Sequence, residues 1–280
     1  MERLEPIGRF LFRFRGWIFP AVVVLALLLS RPRHLLGDAG LDRWMDLAGS
    51  IVALLGLAVR AVTIGYEYIV RGGRNRQVYA DDLVQGGIYA LTRNPMYLGN
   101  ALLVTGCALI LNAPAFYLVA VPVTFFAYAA IIAAEESYLR TKFGTAFDAY
   151  CARVNRIVPR LAGFRRAVAG MRFNWRRLVV KEYNTFFWAV AQIGALCFLD
   201  DYLIDGSQAP EFRYAPWALA FWIAAYLTVW SLKKTGRLCA ELPEDNAARQ
   251  ATSPGTATDG SIRPLAHGKK RRAPADDFLH

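Results

Sequence analysis

Residues 83–99 read LVQGGIYALTRNPMYLG, and a pair of carboxylates, Glu135-Glu136, follows them after a hydrophobic hairpin. The two motifs place arginine, asparagine, tyrosine and glutamate side chains beside long apolar runs. Because each of these groups is costly to remove from water, a membrane protein keeps them at the lipid boundary only for a purpose. The stretch therefore predicts both a membrane-embedded fold and a binding site within it.

The composition is that of a polytopic membrane protein. Hydrophobic residues make up 55% of the 280-residue chain, and the 20% that are charged stand in blocks between apolar runs. These runs predict an all-α integral membrane protein with about six transmembrane helices. The six predicted spans are Trp17–Ser30, Leu47–Val70, Tyr97–Leu111, Ala115–Ala134, Thr185–Leu199 and Tyr214–Leu232.

The basic blocks predict the orientation of the spans. Lysine and arginine fill residues 1–16, 71–82 and 136–181, whereas acidic residues dominate the link at 200–211. Under the positive-inside rule, both termini and the links after the second and fourth spans lie in the cytoplasm, and we expect a bacterial-type inner membrane. Anionic membrane lipids account for the formal charge of +11, so nucleic acid is not an expected partner.

The chain divides by composition into four segments. These are an N-terminal hairpin with a basic link at 1–82, a motif-bearing unit at 83–160, a basic link with a C-terminal hairpin at 161–232, and a tail at 233–280. Beyond about residue 242 the tail loses apolar periodicity, which predicts a disordered cytoplasmic segment. The four cysteines and three histidines lack the spacing of metal ligands, so no metal site is predicted.

The dipeptide Asn94-Pro95 predicts the start of the third span. Proline disfavours helical geometry in the residue before it and is well accommodated in the first helical turn. We expect Asn94 to cap the helix through its side chain. The free N–H groups of that first turn would suit a carboxylate or a phosphate. Just upstream, Gly86-Gly87 permits a positive φ or a close backbone approach.

The spacing of the two motifs predicts that they form one site. Asn94 lies 19 residues before Ala113, in the turn between the third and fourth spans, and Glu135 lies 22 residues after it. At about 1.5 Å per residue, an antiparallel helix pair returns both motifs to nearly the same depth. Glu135 and Glu136 are expected at the C-terminus of the fourth span, where they would oppose the helix dipole. The residues brought together are Arg93, Asn94, Tyr97, Glu135 and Glu136.

An apolar stripe follows the carboxylate pair. Leu139, Phe143, Phe147 and Tyr150 recur at helical spacing, opposite charged residues. This pattern predicts one amphipathic helix at the membrane interface, placed to cover the site.

The motifs resemble those of the membrane methyltransferases typified by isoprenylcysteine carboxyl methyltransferase and the phospholipid N-methyltransferases. The family pattern runs Gly-x-Tyr, Arg-His/Asn-Pro-x-Tyr-x-Gly, a helical hairpin, Glu-Glu-x-x-Leu, Phe-Gly, Tyr and a closing Pro. The matching residues here are Gly87, Tyr89, Arg93–Gly99, Glu135–Leu139, Phe143-Gly144, Tyr150 and Val158-Pro159. The resemblance covers less than a third of the chain.

The resemblance implies S-adenosylmethionine bound from the cytosol and a lipophilic acceptor entering from the bilayer. Arg93 and the helix start would hold the cofactor's carboxylate. Glu135 or Glu136 would hold its amine or a ribose hydroxyl, and Tyr89 or Tyr97 would face its sulfonium. Methyl transfer then needs mainly in-line positioning and exclusion of water. The implied cofactor-binding residues are Gly87, Tyr89, Arg93, Asn94, Pro95, Tyr97, Glu135 and Glu136.

One residue departs from the carboxyl methyltransferase pattern. Asn94 stands where those enzymes usually have histidine, and because an amide does not titrate, a general base is not expected there.

A further charge, Arg60, lies near the middle of the second span. A charge at that depth usually faces the interior of the helix bundle. Two interpretations are open: Arg60 binds an anionic group of the acceptor, or it pairs with Glu67, two turns later. With Arg93 and Glu136 it completes the predicted catalytic set.

Three classes of function fit these observations. The first is methyl transfer from S-adenosylmethionine to a membrane-partitioned acceptor, with a carboxylate, an amine or a thiol as the methylated group. The second is an NADPH-dependent reductase, because membrane steroid and sterol reductases carry a similar Arg-His-Pro-x-Tyr and Glu-x-x-Leu arrangement. The third is a scaffold that has lost its activity. The intact motif and the doubled glutamate favour the first.

Overall fold

The computed structural model describes residues 4–30, 38–66, 83–169, 171–205, 213–236 and 238. Across these ranges the chain forms eight α-helices and no strand, which confirms the predicted all-α class. The helices are α1 Glu5–Leu29, α2 Ala39–Tyr66, α3 Pro95–Leu111, α4 Val121–Phe143, α5 Thr145–Arg153, α6 Phe164–Val168, α7 Trp175–Asp205 and α8 Ala215–Lys234. Two 3₁₀ turns, at Gly87–Ala90 and Leu161–Gly163, and a π turn at Phe116–Ala120 complete the elements.

Among the described residues, three helical stretches are long and apolar enough to cross a membrane. They are Gly40–Tyr66, Phe116–Phe143 and Ala215–Lys234, while Pro95–Leu111 is a shorter apolar helix. The first predicted span lies in α1 except for Ser30, which follows the last residue of the helix, and the fifth lies within α7. The predicted disordered tail beyond residue 242 lies outside the described residues.

Glycines on facing surfaces allow α2 and α3 to pack with their backbones in close contact. A Cβ built on Gly106 would lie 2.4 Å from the carbonyl oxygen of Gly49 and 2.5 Å from the amide nitrogen of Ala53. One built on Gly99 would lie 2.8 Å from the carbonyl oxygen of Gly56. Small residues at such a seam are the usual means of close helix association in membranes. The seam fixes α3, which carries Tyr97 in its first turn and directly follows Arg93-Asn94, against α2.

The helix ends fall into two groups. At one end, the Ser137 hydroxyl donates to the Glu5 carboxylate at 2.8 Å. At the other end, Asn112 Nδ2 donates to Asp42 Oδ1 at 3.3 Å, and the Tyr117 hydroxyl donates to Asn112 Oδ1, also at 3.3 Å. The chain therefore runs up α1, down α2, up α3 and down α4, and the start of α1 lies at the same end as the carboxylate pair.

The start of α7 is anchored at the carboxylate end. The backbone N–H of Asn174 donates to the carbonyl oxygen of Gly65 at 2.9 Å, and its side-chain oxygen caps α7 by accepting the N–H of Arg177 at 2.8 Å. From there α7 packs against α2 and α3. The exposed helix α8 packs against α7, where Trp222 Nε1 donates to the carbonyl oxygen of Phe187 at 3.2 Å.

Two sequence predictions about the fourth span were wrong. The helix does not end at the carboxylate pair but continues to Phe143, so Glu135 and Glu136 lie about two turns inside α4. The apolar stripe is not one helix either, because Gly144 has a φ of +53° and separates α4 from α5. The stripe still forms a small core in which Phe147, Tyr150 and Val154 are buried.

The glycine seam gives a direct test of the packing. Replacing Gly106 by alanine is expected to destabilise the fold by about 1–3 kcal/mol, because the added methyl group meets rigid backbone of α2 rather than a mobile side chain. Gly194→Ala in α7 is the matched control, because a Cβ there meets nothing within 4 Å. Thermal unfolding of the two variants in detergent should separate them, and equal melting temperatures would contradict the seam.

Candidate functional site

The third span begins as the sequence predicts, but its capping is different. Helix α3 starts at Pro95, while the Asn94 side chain makes no capping hydrogen bond. Instead, Asn94 Nδ2 donates to the carbonyl oxygen of Arg156 at 3.0 Å. The capping prediction was therefore wrong, because a tertiary acceptor occupies the side chain. Gly87 has a φ of +56°, which is one of the two possibilities left open for the Gly86-Gly87 pair.

A cluster of one carboxylate and two guanidiniums lies between the start of α3 and α4. Glu136 Oε1 is 3.3 Å from Arg93 Nη2, and Glu136 Oε2 is 2.8 Å from Arg156 Nη2. The Arg93 and Glu136 side chains are 14% and 11% exposed. At this burial the surroundings screen charge weakly, so the ion pairs are stronger than surface pairs. The three groups together carry a formal charge of +1, which favours binding of an anionic group.

The second carboxylate joins a pair of tyrosines. The Tyr97 hydroxyl donates to Glu135 Oε1 at 2.8 Å. The Tyr97 ring also packs against Tyr128 of α4, with ring centroids 5.5 Å apart. Aromatic faces and carboxylates both attract cations. This part of the site is therefore suited to positive charge, beside a cluster suited to negative charge.

The residues after α5 form a strap, 154–160, that is hydrogen-bonded across the start of the site. The Arg93 N–H donates to the carbonyl oxygen of Asn155 at 2.9 Å, and the Arg160 N–H donates to that of Leu91 at 3.1 Å. Between them, the Thr92 hydroxyl donates to the carbonyl oxygen of Ile157 at 2.9 Å. These bonds hold the backbone of Arg156 beside Asn94 and so place its guanidinium on Glu136.

Tyr89 is too buried for its ring to face the cofactor's sulfonium, the role that the sequence analysis gave it. Its side chain is 2% exposed within the 3₁₀ turn, and its backbone carbonyl accepts the Tyr150 hydroxyl at 2.8 Å. This bond ties α5 to the turn before α3. The contacts of Tyr89 thus place it in the support of the site, whereas Tyr97 belongs to the cluster itself.

Arg60 pairs with a residue that the sequence analysis missed. Its Nε and Nη2 donate to Glu182 Oε2 of α7 at 3.1 and 2.6 Å, and its Nη1 donates to Asn100 Oδ1 of α3 at 2.5 Å. Arg60 and Glu182 are 8% and 7% exposed. The alternative partner Glu67 lies outside the described residues. Since Asn100 is one turn beyond Tyr97, this pair lies deeper along α3 than the Glu136 cluster.

Cys151 lies beside the cluster without being a reactive thiolate. Burial raises the pKa of its thiol, and the nearby Arg93 guanidinium only partly opposes that rise. The thiol is therefore protonated at neutral pH, when it is a poor nucleophile.

The donor set fits S-adenosylmethionine. Arg156 Nε is buried and has no hydrogen-bond partner in the part of the chain that the structure describes, and Glu136 Oε1 makes only the ion pair. Buried polar atoms of this kind normally have partners. The guanidiniums can hold a carboxylate, and the Glu135–Tyr97 pair can face an ammonium or a sulfonium.

Four residues of this region escaped the sequence analysis. Arg156 is one of nine basic residues between 149 and 181, a stretch with no acidic residue, so nothing in the pattern singles it out. Glu182 directly follows that basic stretch and lies at the edge of an apolar run. This position is the one feature of the sequence that could have identified it as a partner for a buried arginine. The other two, Asn100 and Tyr128, are ordinary residues of apolar spans.

Comparison with known proteins finds a family match over the part of the chain that carries most of these residues. Residues 48–146 match the model of the family described as phospholipid methyltransferase, a range that includes Arg60, Arg93 and Glu136 but neither Arg156 nor Glu182. The chain is also 29% identical over 163 residues to the nickel-cobalt-cadmium resistance protein NccN of Alcaligenes xylosoxydans xylosoxydans, covering 58% of this chain and 72% of that protein. No solved structure matches the chain. The family match confirms the resemblance to the phospholipid methyltransferases that was drawn from the motifs.

Proposed function

We propose that the protein is an integral membrane methyltransferase that uses S-adenosylmethionine to methylate a membrane-partitioned acceptor. The observation that carries the proposal is the Arg93–Glu136–Arg156 cluster beside the Glu135–Tyr97 pair. All of these residues except Arg156 lie in the segment that matches a methyltransferase family. The cofactor supplies an electrophilic methyl group on a sulfonium. The chain supplies binding, orientation and exclusion of water, which are the main requirements of this chemistry.

The arginine cluster and the Glu135–Tyr97 pair differ in charge, so each suits a different part of the cofactor. Arg93 and Arg156, with the N–H groups of the helix start at Pro95, hold the carboxylate. Glu136 is already engaged by two guanidiniums, so its role is to position them, and Glu135 is the better partner for the amine. Tyr97 faces the sulfonium. Gly87, Tyr89 and Asn94 keep the turn and the strap in place around these groups.

The acceptor approaches from the deeper side of the cluster. The buried polar residues on this side are Arg60, Glu182 and Asn100. Buried polar groups inside a membrane helix bundle usually mark the pathway of a substrate. Arg60 then binds an ionised group of the acceptor. The methylated atom is a carboxylate oxygen, an amine or a thiol.

The proposed arrangement in the membrane has six spans and a cytoplasmic site. Helices α1 and α7 have 25 and 31 residues, more than the roughly 20 that a span needs, whereas the 17 residues of α3 suit a locally thin region. The basic strap and the start of α7 lie at the end that carries the cluster. The positive-inside rule places this end, with both termini, on the cytoplasmic side of a bacterial-type inner membrane.

Ligand-dependent thermal stability tests the cofactor. A ligand that binds only the folded state raises the melting temperature, and at 100 times its dissociation constant it adds about 2.7 kcal/mol of stability. Melting of the purified protein in detergent should shift upward with S-adenosylmethionine and with S-adenosylhomocysteine, and should not shift with NADPH. A shift with NADPH alone would replace the methyltransferase proposal with the reductase.

A further inference from the structure

We propose that the end of α5, the strap, helix α6 and the start of α7 form a docking surface for anionic phospholipid headgroups, and that lipid bound there holds Arg156 in the Glu136 cluster. The surface is defined by Arg153, Arg160, Arg165, Arg166, Trp175 and Arg176, all of them exposed. The lipid-binding half of this inference is independent of the proposed function, and the second half names a regulation of the proposed site.

The charge on this surface identifies its partner. The nine basic residues between 149 and 181 face no acidic residue from their own segment. Of these, Arg156 is taken up by Glu136, and Arg153 contacts the neutral amide of Gln85 at 2.9 Å. In the part of the chain that the structure describes, the acidic groups at this end, apart from those of the site and the Arg60 pair, are Asp148, bound to Arg140 at 2.8 Å, and Glu5, bound to Arg9 and Ser137. A net positive surface therefore remains beside the bilayer, where anionic headgroups are the complementary charge.

Apolar side chains on the same surface indicate that it meets lipid rather than a soluble polyanion. Val158 and Leu161 are each 71% exposed, and Trp175 is 69% exposed. Large apolar side chains between arginines are typical of elements that lie in the headgroup layer, where the chains enter the acyl boundary and the guanidiniums contact phosphate.

The strap joins this surface to the site. Ile157 and Val158 face outward, whereas the preceding residue, Arg156, reaches inward to Glu136. The backbone between them is bonded to Leu91, Thr92 and Arg93. Helix α6 packs against the 3₁₀ turn at Gly87–Ala90 and extends the same connection. Lipid that fixes the outer face of the strap therefore also restricts Arg156.

Energy transfer from the intrinsic tryptophans to dansyl-labelled lipid tests the docking surface. In phosphatidylcholine nanodiscs, transfer to labelled phosphatidylglycerol should exceed transfer to labelled phosphatidylcholine. Arg165→Gln/Arg166→Gln should remove most of this preference, since each basic residue near an anionic surface contributes roughly fivefold in affinity. Arg43→Gln/Arg213→Gln removes the same charge from the opposite end of the helices, at the starts of α2 and α8, and should retain the preference. Equal transfer to both lipids, or equal loss in both variants, would overturn the docking surface.

Hydrogen exchange tests the connection to the site without any cofactor. Adding phosphatidylglycerol to the nanodiscs should slow amide exchange in peptides that cover residues 154–161 by at least about threefold, because ordering the strap stabilises its bonds to residues 91–93. The Arg165→Gln/Arg166→Gln variant should not respond. Unchanged exchange in the unaltered protein would overturn the control of Arg156 by lipid. Because neither measurement uses S-adenosylmethionine, failure here is distinct from failure of the methyltransferase proposal.

Discussion

Replacing Glu136 by glutamine is expected to lower the affinity for S-adenosylmethionine by roughly 100-fold, because a hydrogen bond to a charged group contributes about 1.5–3 kcal/mol and the variant loses the equivalent of one such bond between the arginines and the cofactor's carboxylate. When Glu136 loses its negative charge, the Arg93 and Arg156 guanidiniums repel each other. They then leave the positions in which they hold the cofactor's carboxylate. Equilibrium binding by isothermal titration in detergent measures the change.

The matched control for Glu136→Gln is Asp148→Asn. Asp148 also forms an ion pair, with Arg140 at 2.8 Å, but the two side chains are more than half exposed. Surface pairs of this kind contribute little, so cofactor affinity should stay within about twofold of the unaltered protein. If both variants bind the cofactor as the unaltered protein does, the cluster is not the cofactor site.

The buried pair of Arg60 and Glu182 should show the largest stability effect in the chain. Arg60→Met leaves the Glu182 carboxylate buried without its partner, and breaking such a pair costs about 3–5 kcal/mol. The double variant Arg60→Met/Glu182→Met removes both charges and should recover most of that loss, because apolar side chains of similar size replace them. Unfolding in mixed micelles measures both variants.

Turnover by the double variant separates the two interpretations of Arg60. If Arg60 binds an ionised group of the acceptor, the double variant regains stability but its acceptor KM stays raised. Recovery of both stability and KM would make the pair structural and would contradict the acceptor role.

Local signals made the start of the site predictable. Asn94-Pro95 fixes where α3 begins, and Gly87 marks the one left-handed residue of the turn before it. The hairpin length predicts that Arg93 and Tyr97 lie at the depth of the glutamate pair, since helical rise converts sequence separation into depth. The structure pairs Tyr97 with Glu135 and Arg93 with Glu136.

Contacts between residues far apart in the chain could not be predicted from the sequence. The Asn94 side chain donates to the carbonyl oxygen of Arg156, 62 residues later, instead of capping α3. Arg60 binds the carboxylate of Glu182, 122 residues later. The end of α4 was misplaced for a different reason. A hydropathy boundary marks where lipid ends, but backbone hydrogen bonds continue through polar residues until a residue such as Gly144 takes a positive φ.

The most direct test of the central claim is methyl transfer by the purified protein. Protein in nanodiscs made from bacterial lipid extract is incubated with S-adenosylmethionine carrying a tritiated methyl group, and the organic phase is then counted. We expect label in the lipid fraction from the unaltered protein and from Asp148→Asn, and a loss of about 100-fold from Glu136→Gln at subsaturating cofactor. Saturable binding of the cofactor with no label transferred to any extract, or equal label from Glu136→Gln, would contradict the assignment of this cluster to methyl transfer.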